Sequence, residues 1–154
     1  MSHATTTAPS PRPATARRPR PVWLVSALAG LAAAVATELY GLIARAAGVP
    51  MSAAGFGSAT ATPITIGMFA MGTLICAFWA TVLAVVLARY ARHPARAYLR
   101  ATVALTALSL AVPLSAADTA TSTKVMLACA HLLAAAIVIP AVSRRLARAP
   151  GRGA

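Results

Sequence analysis

The sequence predicts an all-α fold: an integral membrane four-helix bundle with both termini on the cytoplasmic side. Three observations carry this. Apolar residues make up 59% of the 154 residues, charged residues only 10%, and mean hydropathy is +0.75. A soluble globule of this size needs far more charge to cover its surface. Four apolar runs each approach the roughly 20 residues that a helix needs to cross about 30 Å of hydrocarbon. Fourteen Lys and Arg stand against two acids, Glu38 and Asp118, and the cations cluster between the runs. A net charge of +12 raises nucleic-acid binding as a function. The clusters do not line one face, so no nucleic-acid partner is expected.

Residues 1–21 are rich in Thr, Pro, Ala, Ser and Arg and read as a disordered cytoplasmic tail. The four-span domain is expected over 22–146, followed by a basic tail over 147–154. The predicted spans run over about 22–46, 64–89, 98–115 and 125–143. In lipid only helices and closed barrels satisfy their backbone, and these runs lack the alternation of barrel strands. The third run is the shortest, with Pro113 near its end. Pro63 and Pro94 stand where a first helical turn tolerates a missing N–H. Pro140 should kink the fourth helix and free the carbonyl of Ala136. Arg17-Arg18-Pro19-Arg20, an apolar stretch and Ala34-Val35-Ala36 mimic a cleaved secretory signal. Apolar character continues through Leu39, Leu42 and Ile43, too far for a signal core, so the first run reads as a span.

Charge fixes the orientation. The tail, the segment from Arg89 to Arg100 and the C-terminus carry four arginines each. The loop 47–63 has no charge, and the loop 116–123 has only Asp118. Twelve of the fourteen cations therefore lie on one side, which the positive-inside rule makes cytoplasmic. Trp23, Tyr90 and Tyr98 fall at the same boundary, as interfacial aromatics. The arginine clusters are expected to touch anionic headgroups.

Without a hydrophobic drive between them, membrane helices gain from close approach at small residues. The first helix offers Ser26, Gly30, Ala34 and Glu38 on one stripe, with Ala29, Ala33, Thr37 and Gly41 beside it. The second offers Gly72, Cys76, Ala80, Ala84 and Ala88. The third offers Ala107, Ala111 and Ser115. These stripes are expected to face other helices.

Glu38 is the most informative residue. It lies eight positions from the outer end of its helix, about 12 Å deep. A carboxylate there is costly unless paired, hydrated or protonated. His131 lies at nearly the same depth on the fourth helix, on a face shared with Lys124, Ala128 and Ala135, and is the expected partner. Arg45, two turns above Glu38, is a second candidate. Asp118 is expected to cap the fourth helix or to pair with Lys124. The Glu38–His131 pair has two uses: holding helices in register, or transferring protons.

Cys76 and Cys129 read as small core residues, since helical rise puts them about 10 Å apart in depth, too far for a disulfide. One intramembrane His supplies too few ligands for haem or a metal, so no cofactor is expected. His3 and His93 are expected to be solvated. Gly55 and Gly57, near Phe56, lack the GK[ST] of a phosphate loop. No Ser/His/Asp set and no paired carboxylates exist, so an enzyme is not expected.

Three segments carry a family resemblance: Ala44-Arg45-Ala46-Ala47-Gly48-Val49-Pro50, Ala117-Asp118-Thr119-Ala120-Thr121, and His131-Leu132-Leu133-Ala134-Ala135-Ala136-Ile137-Val138-Ile139-Pro140. Together they resemble an uncharacterised family of four-span actinobacterial membrane proteins, a domain of unknown function, over about Val22 to Leu146. The resemblance implies an actinobacterial plasma-membrane protein and no activity. Glu38-Leu39-Tyr40-Gly41 is also similar to the first-helix Glu-x-x-Gly of small multidrug-resistance transporters. The later helices lack those transporters' aromatic and Gly-rich patterns. The leading reading is a structural or accessory component, as a homo-oligomer or with a membrane-protein partner. The alternative is a proton-coupled transporter or channel subunit using Glu38.

Overall fold

The computed structural model describes residues 20–55 and 57–148. Four helices occupy the four apolar runs: α1 (Val22–Ala46), α2 (Met68–Tyr90), α3 (Pro94–Ser115) and α4 (Thr121–Ala147). Each is long and apolar enough to cross a membrane. Between α1 and α2 lies an antiparallel hairpin, β1 (Ser52–Ala54) and β2 (Ala61–Pro63), in the register Ala53 opposite Thr62. Most of the expected N-terminal tail, the C-terminal residues after 148, and Phe56 lie outside the described residues.

The helix starts near Pro63 and Pro94 depart from expectation for physical reasons, and α4 is four residues longer than expected at each end. Pro63 does not open a helix; it ends β2 opposite Ser52, a strand position that tolerates a missing N–H. The helical part of α2 therefore starts later, at Met68, behind Gly67 at φ +90°. That left-handed turn suits glycine, which has no Cβ to clash. By contrast α3 starts at Pro94 in its first turn, as expected, four residues earlier than its apolar run. α4 continues through Pro140 and ends at Ala147.

α1 is the central helix, packed broadly against α2 on one side and α4 on the other. α3 lies against α4 and meets α2 more lightly. The buried face of α1 is Ser26, Ala29, Gly30, Ala33, Ala34, Thr37, Gly41 and Ala44, the two expected stripes without Glu38. A Cβ on Gly30 would stand 2.6 Å from the Cβ of Ala77, so the α1 and α2 backbones touch closely there. Gly41 similarly accepts the ring of Phe69.

Of the expected α2 stripe, Ala80, Ala84 and Ala88 pack in the core, but its first two residues do not. Ala84 is buried, but Cys76 is exposed and Gly72 has open space around it. The reason is polar. Thr37 Oγ1 and Thr73 Oγ1 lie 2.9 Å apart, and Ser26 Oγ and Thr81 Oγ1 2.7 Å apart. Hydroxyl pairs in an apolar layer fix which row faces the partner. The row is Thr73, Ala77 and Thr81. The α3 stripe also fails, since Ala107, Ala111 and Ser115 are exposed while Tyr98, Thr102 and Pro113 are buried. Cys76 and Cys129 are both free and exposed, so neither is a core residue.

Two clusters mark the ends. At one end Tyr98, Val142 and Leu146 pack with Val22, Leu87, Ala88 and Ala95. The head of α1, the turn between α2 and α3, and the end of α4 therefore meet, bringing the basic segments to one end. Arg145 Nε donates to the Arg20 carbonyl there at 2.6 Å. Tyr90 is 76% exposed and Trp23 56%, as interfacial aromatics should be, but Tyr98 is fully buried inside the bundle. At the opposite end Ala44, Ile64 and Met126 pack with Tyr40, Met51 and Phe69 beneath the hairpin.

Candidate functional site

The intramembrane acid expected from the sequence, Glu38, meets the start of α2. Glu38 Oε1 accepts the N–H of Gly67 at 2.7 Å, and Oε2 accepts the N–H of Ala70 at 3.0 Å. These are free donors of a helix start, which has no preceding turn to bond to. The carboxylate also complements the positive end of the helix dipole. Helical rise puts Glu38 about 12 Å below the end of α1. The start of α2 therefore stands beside α1, below its end, and the residues before Met68 descend without helical structure. Non-helical backbone at such depth must find partners within the protein.

Those partners are present. Arg45 Nη2 donates to the Ile64 carbonyl at 2.7 Å, and the Ile64 N–H donates to the Met51 carbonyl at 2.8 Å. The Thr65 N–H reaches Met68 Sδ at 3.2 Å, and the Met68 N–H donates to the Thr65 carbonyl. Glu38 and Arg45 thus bracket one descending segment, one accepting and one donating.

The expected Glu38–His131 pair is not formed. His131 Nδ1 lies 2.8 Å from the Leu127 carbonyl, one turn back on its own helix. A carbonyl only accepts, so this contact places a proton on Nδ1. Direction around α1 decides. Tyr40 packs toward α4, on the cluster that holds Met126. Glu38 sits two residues earlier, about 200° around the helix, and faces α2 instead. Nor does Arg45 pair with Glu38, since its guanidinium goes to Ile64.

Asp118 caps nothing on α4, whose start has no side-chain cap. Asp118 Oδ2 instead accepts the N–H of Ala61 at 3.2 Å, and Thr119 Oγ1 accepts that of Ala54 at 3.0 Å. Asp118 takes φ 43°, a left-handed conformation that Asp tolerates better than most residues. Thr123 Oγ1 donates to the Pro50 carbonyl at 2.5 Å. The turn between α3 and α4 thereby straps the hairpin over this end of the bundle. Among the described residues Lys124 makes no ion pair with Asp118.

Residues 17–148 match a family of unknown function, DUF6069. That stretch contains all four helices. The chain belongs to the DUF6069 family. No curated protein and no solved structure matches it. In this DUF6069 member the working contacts of the site run largely to backbone atoms. Sequence reasoning missed Gly67 and Ala70 for that reason. Gly67 alone carried a signal, as a glycine four residues after a proline and just before an apolar run.

Proposed function

We propose that this protein is a non-enzymatic, multi-pass component of the plasma membrane, structural or accessory in role, with both termini cytoplasmic. The arginine bias supports that orientation. The single observation that carries the structural reading is that both oxygens of Glu38 are bonded to the start of α2. A carboxylate so placed satisfies donors that would otherwise be orphaned in hydrocarbon, each at a cost of several kcal/mol. This use explains an intramembrane acid with no moving proton. The Ala- and Arg-rich composition supports an actinobacterial source. A homo-oligomer or a complex with another membrane protein fits an accessory role.

One feature favours a second use. Protonation of Glu38 would remove one of its two acceptors for Gly67 and Ala70, so a proton there would loosen the start of α2. The experiment is Glu38→Gln in reconstituted vesicles, with folding followed in parallel. The structural reading expects a loss of stability of about 1–2 kcal/mol and no proton-dependent flux in either protein. Flux in the wild type that Glu38→Gln abolishes, with the fold intact, would replace it with the transporter reading.

A further inference from the structure

The two ends of the bundle differ in how charge is balanced. The basic end gathers eight described arginines, from Arg20 at the head of α1 to Arg148 beyond α4. The two acids of the whole chain stand at the opposite end, Glu38 on the start of α2 and Asp118 on the hairpin. No acidic side chain is therefore left to neutralise the arginines. Arg145 Nε donates to the Arg20 carbonyl, which ties the end of α4 to the head of α1. Nη1 of that same guanidinium is buried with no hydrogen-bond partner, as is the Tyr98 hydroxyl. A guanidinium presents its donors as a planar fork suited to an oxyanion such as phosphate. Exposed Trp23, three residues from Arg20, puts this end at headgroup level.

We propose that the basic end seats anionic phospholipid headgroups, with one phosphate on Arg145 between the head of α1 and the end of α4. The anion supplies the counter-charge that the chain lacks. Its acyl chains run along the apolar outer surface of α1. Lysine-like point charges would attract a diffuse lipid atmosphere. The Arg145 guanidinium, held by the Arg20 carbonyl, adds one fixed position to it.

Trp23 reports on this seat. The chain has two tryptophans, and Trp79→Phe leaves Trp23 alone. Its fluorescence is read in vesicles containing acyl-brominated phosphatidylglycerol or acyl-brominated phosphatidylcholine at equal mole fraction. The anionic lipid should quench about two-fold more, or better. Arg145→Gln should erase more of that excess than Arg100→Gln, with both variants checked for folding by thermal melting. Should Arg145→Gln fail to fold, Arg145→Lys keeps the charge without the fork and should still lose part of the excess. Added inorganic phosphate should leave the excess in place. Equal quenching by the two lipids overturns the proposal. Equal losses at Arg145 and Arg100, or no loss in Arg145→Lys, overturn the fixed seat. Displacement by inorganic phosphate overturns lipid as the occupant.

Discussion

Glu38 and Arg45 stand two turns apart on one face of α1 and hold the same descending segment, Arg45 at the Ile64 carbonyl and Glu38 at the N–H groups of Gly67 and Ala70. Opposite charges on adjacent turns commonly pair with each other, but these two stand a turn further apart. Here both are used on backbone. The segment between the hairpin and α2 is thereby fixed alongside α1, below its end.

Close approach of α1 and α2 makes Gly30 sensitive. A Cβ at Gly30 meets the Cβ of Ala77 at 2.6 Å, and neither atom can move without its helix. Gly30→Ala should cost about 1–3 kcal/mol. Gly41→Ala meets the Phe69 ring, which can turn, and should cost less. Unfolding midpoints in mixed detergent check the order. Gly30→Ala combined with Ala77→Gly should recover most of the loss, and a double variant no better than the single one would refute the contact.

The Tyr98 hydroxyl is buried without a partner. Removing an unsatisfied polar group while keeping the ring should be neutral or stabilising by up to about 1 kcal/mol. Removing the ring should cost about 3–5 kcal/mol. Thermal melts of Tyr98→Phe and Tyr98→Ala test this. A Tyr98→Phe variant that unfolds as readily as Tyr98→Ala would mean that the hydroxyl is bonded.

The hairpin is held from across the bundle by Asp118 and Thr119. Amide exchange at Ala61 should speed up in Asp118→Ala, and at Ala54 in Thr119→Val. Exchange at Ile64 should hold in both, because its N–H goes to Met51. Mass-spectrometric exchange on the intact protein reads all three. Faster exchange at Ile64 as well would show that the hairpin melts as a unit.

Much of the fold was legible because lipid imposes simple rules. Run length gave four helices, and small residues at four-residue spacing gave the buried face of α1. Rules of spacing failed where polar contacts overrode them. Thr73 and Thr81 face α1, leaving Gly72 and Cys76 outside. The hairpin escaped notice because Ser, Ala, Gly and Thr carry no alternation of polarity over 52–63. The site was half legible. A buried acid announces that it needs a partner, and Glu38 was found that way. Its partner stayed hidden because a backbone N–H looks the same at every residue. His131 was expected at the depth of Glu38, but depth is one coordinate and direction around the helix is the other.

The sharpest test is amide exchange of Gly67 and Ala70 by NMR in lipid discs, comparing the wild type with Glu38→Ala. Both amides should be protected in the wild type. In the variant both should exchange about ten-fold faster or more, while the amides around Ala77 keep their protection. Gly67 and Ala70 amides that exchange at the same rate with and without the carboxylate would contradict the capping of α2 by Glu38.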